Sequence, residues 1–312
     1  MANILFLNLT ENILDEVLSW NPTHATQLGW RKYDDQLRDL SREAYAHEAS
    51  RLATFVKNLQ EFRDDELTED ERIDRDLAIH LFKLRLFEIQ VVKIHERMAI
   101  AADDLGNAMF FLFSREDQPL EKRLDSIISR LEKVPKHLER SKSSLVSPCR
   151  LWNEIAVETG ATLGAFLDTI ESHSIQMLGR TPRTERLSAA VRGAKAALGK
   201  YNRWLEQEVL PRACVDTHMS AEAFEEYMRL KGFGITPEEA LSIGEAHLVK
   251  TRRRMEDLAG RMVRSGSVDD AVNLMKSNRP SDYDEVLACY KADIKKARDF
   301  LLARDLATIP DG

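Results

Sequence analysis

The sequence predicts an all-α protein, a multi-helix bundle of about ten helices that includes one long central helix. Residues 30–105 contain neither glycine nor proline, and apolar residues recur there at the spacing of an amphipathic helix. Side chains suited to capping helices precede several of these periodic segments. The alternation of apolar and polar residues that marks a half-buried strand is nearly absent.

The composition is that of an ordinary globular protein. The 312 residues are 43% hydrophobic and 31% charged, which is enough apolar surface to bury a large core. A net charge of -7 argues against nucleic acid as a partner, because phosphate binding requires a concentrated positive surface. The tight basic run Arg252–Arg254 is followed by Glu256 and Asp257, and we interpret it as a solvated helix face.

The three cysteines, Cys149, Cys214 and Cys289, lie far apart in the sequence. Their odd number and wide spacing fit neither a disulfide framework nor a paired-cysteine metal site, so we expect reduced thiols in a cytoplasmic protein. The apolar start, Met1–Leu9, lacks the charged region and the cleavage site of a signal peptide. No window approaches the roughly 18 uncharged residues of a membrane span, so no membrane partner is expected.

Capping residues set the predicted helix boundaries in the first third of the chain. Thr10 caps a first helix that Asn21–Pro22 ends, because a residue before proline is disfavoured in the α conformation. Ser41 caps a second helix, which stops at the acidic stretch 64–66. Thr68–Glu71 forms a capping box. From it runs the predicted long helix of about 30 residues, about 45 Å in length.

This long helix carries apolar residues on more than one face, which predicts a central position in the bundle. One stripe consists of Leu77, Leu81, Leu84, Val91 and Met98, and the other of Ile79, Phe82, Leu86 and Ile89. Glu88 and His95 interrupt the first stripe on the same side of the helix. They could form a buried acid–base pair for catalysis or a hydrogen-bonded structural pair, and the structural pair is the more common arrangement.

Proline and glycine organise the middle of the chain. Pro119 opens a helix with a heptad-like apolar stripe, and Pro135 should kink that helix. A serine–proline break marks a soft boundary at 146–150. Gly160 and Gly164, one helical turn apart, predict the close approach of another backbone.

In the last third, Thr236–Glu239 combines an N-cap threonine, a proline at the first helical position and a glutamate at the third. Ser281 begins the final helix, which ends near Leu306, and Asp311–Gly312 is expected to form an exposed turn. No segment repeats at the period of about 20 to 50 residues that marks a solenoid. The sequence therefore predicts a single helical region over residues 1–312.

The chain contains no complete catalytic motif. A zinc peptidase helix requires HExxH, in which two histidines one turn apart face the metal, but the residue four positions after His47 is Arg51, and Ala99 follows His95 at the same spacing. The Glu-x-x-His pattern of di-iron bundles, a phosphate-binding loop and a serine nucleophile elbow are also absent. We therefore predict no catalytic, cofactor-binding or metal-ligating residue in this chain.

A series of segments carries a family resemblance in its order. The segments are Asn21–Gly29, Tyr33–Leu37, Asp39–Ser41, Asp74–Leu77, the helix from Arg123 to Pro135, Tyr201–Pro211, Arg229–Lys231 and Ile235–Glu239. Together they resemble the large microbial family called domain of unknown function 885. The resemblance covers most of the chain.

The resemblance implies a helical, zinc metallopeptidase-like protein nearly twice as long, with HExxH and the third zinc ligand in its C-terminal half. The sequence reaches Gly312 without that motif, so the resemblance implies the N-terminal half only, a helical region that shapes one wall of a peptide cleft. The expected partner is the missing C-terminal half that carries the metal site, and the expected substrate is a short peptide. Zinc is implied for the full-length family, and this chain alone is expected to be inactive.

Two other functions stay open. The chain could be a non-catalytic helical scaffold that binds a protein partner on an exposed apolar groove, or a hydrolase that uses scattered carboxylates. A coding sequence that continues past Gly312 into HExxH would favour the half-enzyme, and a stop codon there would favour the scaffold.

Overall fold

The computed structural model describes residues 2–310, which fold into helices joined by short connections. This range holds twelve α-helices of seven residues or more and one of four residues, without a β-strand. The all-α prediction is therefore confirmed, and the predicted number of about ten helices is too low. The helices are α1 (Ile4–Trp20), α2 (Pro22–Leu28), α3 (Arg42–Gln60), α4 (Glu69–Phe87), α5 (Ile94–Arg97), α6 (Ala101–Ser114), α7 (Leu120–Ser141), α8 (Arg150–Leu178), α9 (Pro182–Trp204), α10 (Ala221–Leu230), α11 (Pro237–Met262), α12 (Val268–Ser277) and α13 (Tyr283–Ala303).

These helices form two compact units, Met1–Ile235 and Thr236–Gly312. The first unit contains α1 to α10, and the second contains α11 to α13. The soft boundary expected at 146–150 lies within the first unit. The turn expected at Asp311–Gly312 lies outside the described residues.

Three predicted helix starts are confirmed by their hydrogen bonds. The Thr68 amide donates to the Glu71 carboxylate at 2.8 Å, and the Glu71 amide donates to the Thr68 hydroxyl at 3.3 Å. Thr236 and Glu239 exchange the same two bonds at 2.8 and 3.2 Å. The Ser41 hydroxyl accepts the third backbone amide of α3. Each cap satisfies backbone donors that a helix start leaves unpaired.

Two other predicted starts are wrong. α1 is capped by Asn3, and Thr10 lies inside the helix, where its hydroxyl donates to the Phe6 carbonyl at 3.1 Å. α13 is capped by Asp282 and not by Ser281. Asn3, seven residues before Thr10, and Asp282, next to Ser281, each provide a side-chain oxygen that caps at least as well as Thr or Ser.

The predicted long helix is interrupted, so that prediction is also wrong. α4 ends at Phe87, and a π-helical turn over Glu88–Val92 leads to Lys93, whose φ of 53° lies in the left-handed region. The Lys93 amide closes this turn by donating to the Glu88 carbonyl at 2.8 Å. A π turn needs neither glycine nor proline, so their absence did not guarantee continuity. The longest helix in the described range is α8, with 29 residues.

The central position belongs to α7 and not to α4. α7 packs against α6 and α9 and continues through Pro135. Its predicted apolar stripe is confirmed as core, because Leu124, Ile127, Leu131, Val134 and Leu138 are all buried. Complete burial of each such side chain stabilises the fold by about 2 kcal/mol.

α4 buries only one of its two apolar stripes. Ile79, Phe82 and Leu86 pack against the core of the first unit, and Ile89 is buried there. Leu77, on the other stripe, is exposed, as are Leu81 and, beyond the helix end, Val91. α4 is therefore a peripheral helix with an uncovered apolar face.

The two glycines of α8 differ in what faces them. A Cβ at Gly160 would overlap the side-chain amide of Asn202, whereas a Cβ at Gly164 would lie 3.7 Å from Cε of Lys195. The neighbour at Gly160 is thus the side chain of Asn202 on α9. The spacing of the two glycines had suggested a close backbone instead.

We expect Gly164→Ala to stabilise the protein by up to about 1 kcal/mol, because alanine favours a helix over glycine. Gly160→Ala should destabilise it by about 1–3 kcal/mol, because the Asn202 amide must move out of a packed position. Urea unfolding of both variants measures the difference. Equal stabilisation by the two substitutions would contradict the close contact at Gly160.

Candidate functional site

Glu88 and His95 do not form a pair with each other in the described part of the chain. Glu88 accepts hydrogen bonds at 3.3 Å from the Tyr227 hydroxyl and the Lys231 ammonium, and at 3.5 Å from Arg85. The left-handed turn at Lys93 carries His95 inward, where its ring stacks on Tyr45 with centroids 4.0 Å apart. Both contacts tie helices together, which favours the structural interpretation.

Among residues 2–310, no three His, Cys, Asp or Glu side chains are grouped closely enough to hold a metal ion. His47 is exposed on α3, and burial lowers the pKa of His95. A buried His95 that stays neutral suits packing against an aromatic ring.

The core of the first unit contains a polar pair that the sequence analysis missed. Asp104 Oδ2 and His137 Nε2 face each other at 3.9 Å, and neither atom has another hydrogen-bond partner. His137 Nδ1 lies 2.9 Å from the Arg38 carbonyl, so Nδ1 carries a proton and donates there. On the opposite edge of the ring, Nε2 therefore faces the Asp104 carboxyl beyond hydrogen-bond distance.

Burial raises the pKa of the Asp104 carboxyl above its usual range, although His137, Arg38 and Arg130 oppose that shift. The pair lies between α6 and α7, and His137 also lines a small cavity together with Arg38, Lys136 and Arg140. Its sequence signal was weak, because Asp104 follows Asp103 near a helix start, where acids are common.

Arg130 is the largest polar side chain buried in the first unit. Its guanidinium donates to the Ala108 carbonyl at 2.6 Å and to the Thr26 hydroxyl at 2.7 Å, and it also reaches the carbonyls of Pro22 and Tyr33. Burial lowers its pKa to about 10, so the group remains charged at neutral pH. Arg130 therefore fixes the segment around α2 onto α6 and α7.

The second unit presents the most unusual surface of the chain. α11 carries a heptad-like stripe whose large apolar members are spaced by seven, seven, three and four residues, which resembles the pattern of a helix–helix seam. Its large apolar members are Leu241, Leu248, Met255, Leu258 and Met262. All five are exposed, from 43% for Leu258 to 64% for Leu241.

α13 repeats the pattern without burying any residue. Its stripe contains Tyr283, Leu287, Tyr290 and Ile294, and the exposed fraction reaches 73% at Tyr283 and 66% at Tyr290. The buried side chains of the second unit, within the residues described, are Ala259 and Ala271 alone. Two alanines do not make a hydrophobic core.

We define the apolar stripes of α11 and α13 as the seam surface. Arg252, Arg254 and Arg261 flank its α11 part at positions that border a helix–helix seam. An exposed apolar stripe rimmed by polar groups is typical of an interaction site in soluble proteins. The seam surface is therefore the candidate functional site, and its chemistry suits binding of polypeptide.

The fold and this surface define an all-helical protein with an uncovered helix-packing face. The chain belongs to the family described as bacterial protein of unknown function (DUF885), whose sequence model matches residues 22–312. The predicted family membership is thereby confirmed, and the family description itself assigns no activity.

A solved structure shares the fold. It is described as a putative lipoprotein of unknown function from Shewanella oneidensis, and it matches with a TM-score of 0.66 at 16% sequence identity. The match covers 98% of this chain and 58% of the other chain. The present chain thus corresponds to somewhat more than half the length of that protein. No curated protein matches the sequence.

Within residues 2–310, no helix combines the length and the apolarity needed to cross a membrane. The description of the structural neighbour as a lipoprotein applies to that protein. The cytoplasmic location of the present chain stays a prediction.

The Asp104–His137 pair gives a pH dependence of stability. Because the folded-state pKa of Asp104 is raised, the unfolded chain loses this proton first as pH rises above about 4, and the free energy of unfolding falls until the folded carboxyl also ionises. Asp104→Asn supplies a neutral donor, so its stability relative to wild type should be greater at pH 7 than at pH 4, by on the order of 1 kcal/mol.

Urea midpoints at the two pH values measure this difference. Asp74→Asn, which removes an exposed carboxylate on α4, is the matched control and should show no such gain. The same gain in both variants would mean that the buried pair is not its source.

Proposed function

We propose that this chain is the N-terminal helical region of a larger zinc metallopeptidase-like hydrolase. In this proposal it shapes one wall of a peptide cleft, and a C-terminal half outside the sequence supplies the metal and the general base. The observation that carries the proposal is the seam surface, which leaves the apolar faces of α11 and α13 in water.

The energetics of helices support a missing partner. Most helical stability in proteins comes from packing of an amphipathic face and not from intrinsic propensity. α11 has 26 residues and α13 has 21. Without a covering partner, each helix leaves several large apolar side chains exposed to water. Covering them with another helical segment would remove that penalty.

The length of the structural neighbour supports the same idea. The match covers 58% of that protein, so its chain includes further polypeptide that has no counterpart in residues 1–312. Polypeptide of that kind is a suitable cover for the seam surface.

In the proposal, the metal site lies outside residues 2–310, where no three His, Cys, Asp or Glu side chains are grouped closely enough to hold a metal ion. Peptide hydrolysis by zinc requires three protein ligands and a general base. In the proposal, these groups come from the C-terminal half, and the substrate is a short, extended peptide.

The alternative is a non-catalytic scaffold whose seam surface binds a separate protein. The same exposed stripes favour it, because they would accept an amphipathic helix from any chain of matching shape. The two proposals differ in whether the covering polypeptide carries HExxH.

Reconstitution tests the half-enzyme. The chain is expressed alone and together with the downstream coding segment that contains HExxH, and hydrolysis of a set of short peptides is measured with zinc present. We expect the chain alone to bind a hydrophobic dye, to self-associate and to show no hydrolysis. The two segments together should form a complex that excludes the dye and hydrolyses peptide.

Variants of α11 make the test specific. Leu248→Glu places a charge on the seam surface and should weaken complex formation at least tenfold, since it removes more than about 1.4 kcal/mol of apolar packing. Ala246→Glu, on the exposed opposite side of the same helix, is the matched control and should bind normally. A monodisperse chain that binds no dye would contradict both proposals, whereas binding without hydrolysis would support the scaffold.

A further inference from the structure

The fold brings two of the three cysteines side by side. Cys149 and Cys214 are directly opposite each other in an isolated parallel bridge, although 64 residues separate them in the sequence. Paired backbones of this kind lie about 4.8 Å apart. This spacing falls within the range of about 4.4–6.8 Å between Cα atoms that a disulfide requires.

Hydrogen bonds hold both backbones in this register. The Cys214 amide donates to the Pro148 carbonyl at 2.9 Å, and the Arg150 amide donates to the Cys214 carbonyl at 2.7 Å. On the other side, the Cys149 amide donates to the Arg97 carbonyl at 2.9 Å. The pairing is therefore part of a continuous backbone network and not a chance approach of two loops.

The Asn153 side chain adds three hydrogen bonds to this backbone network. Its side-chain amide donates to the carbonyls of Cys149 and Arg97, at 2.7 and 2.8 Å. Its side-chain carbonyl accepts the Ala99 amide at 3.1 Å. Asn153 is fully buried, so the Cys149 backbone cannot drift away without leaving these groups unpaired.

The two thiols differ in access. Cys149 is buried, and Cys214 is exposed. The Cys214 sulfur makes only a weak contact with the Asp216 carbonyl, at 3.6 Å. Directly opposed residues of a bridge project their side chains to the same face, so rotation of the Cys214 side chain brings its sulfur towards Cys149.

We propose that Cys149 and Cys214 are a disulfide-forming pair, with Cys214 as the thiol that reacts first. The oxidant is a low-molecular-weight disulfide such as oxidised glutathione. The Cys214 thiolate attacks one sulfur of that disulfide, which forms a mixed disulfide and releases one glutathione thiolate. The Cys149 thiolate then attacks the Cys214 sulfur and expels the second.

The electrons and atoms balance in this sequence. Two cysteine thiols lose two electrons and form one S–S bond, and one glutathione disulfide gains them and becomes two thiols. The two protons of the cysteine thiols end on the released glutathione. No further co-reactant is needed.

The bond would close the base of a helical hairpin. Cys149 is the N-cap of α8, and Cys214 lies just after the helical turns that follow α9. α8 and α9 pack against each other along their length. A disulfide here joins the start of the outgoing helix to the end of the returning one, and it constrains the unfolded chain over residues 149–214.

The test uses the full chain as the Cys289→Ser variant, which removes the third thiol. We expect excess oxidised glutathione to consume both remaining thiols, and peptide mapping by mass spectrometry to find a Cys149–Cys214 crosslink without attached glutathione. The melting midpoint should rise by roughly 5–10 °C relative to the reduced form. This comparison needs no substitution at either member of the pair.

Single removals assign the order of attack. Cys149→Ser in the Cys289→Ser background should stop at a stable glutathione adduct on Cys214. Cys214→Ser in the same background should stay unmodified in the folded state, because Cys149 is buried. A Cys289→Ser chain that retains two free thiols, or that accumulates glutathione on Cys214 without a crosslink, would overturn the proposal.

Discussion

An amphipathic helix is stable in water only when its apolar face is covered, and the organisation of this chain follows from that constraint. In the first unit, α7 meets the requirement by burying its stripe between α6 and α9. α8 pairs with α9 in the same way. In the second unit, α11 and α13 also carry apolar stripes, and these stay exposed. Because the apolar stripes of the second unit are exposed and that of α7 in the first unit is buried, the second unit provides the candidate binding surface.

Polar groups inside the first unit fix how its helices meet. Arg130 donates hydrogen bonds to carbonyl groups of α6 and of both ends of the segment around α2. If these elements moved apart, the buried guanidinium would lose its hydrogen-bond partners. The Asp104–His137 pair joins α6 and α7 under the same condition. Such groups add little net stability, since their burial is costly. Each of them instead links elements that are distant in the sequence.

The sequence was informative where the determining contacts are local. The capping boxes at Thr68 and Thr236 and the stripe of α7 involve residues within a few turns of each other, and all were predicted. The break at Lys93 could not be predicted, because a π turn has no glycine or proline signal.

Tertiary contacts account for most of the remaining differences. A helical stripe shows that a face is apolar, but not whether its partner lies in the same chain, so the exposed face of α4 was taken for core. Likewise, Cys149 and Cys214 are far apart in the sequence, and they come into contact only because α9 runs back alongside α8. The candidate site itself was expected only in general form, as apolar surface left by a missing partner, and the structure locates exposed apolar stripes on α11 and α13.

Amide hydrogen exchange on the monomeric chain tests the central claim that the second unit lacks a core of its own. The account predicts that amides of α7 exchange only through global unfolding, whereas those of α11 and α13 exchange orders of magnitude faster, because no packed layer protects them. Protection of α13 equal to that of α7 in a monomer would contradict it, since a helix so protected must already be covered.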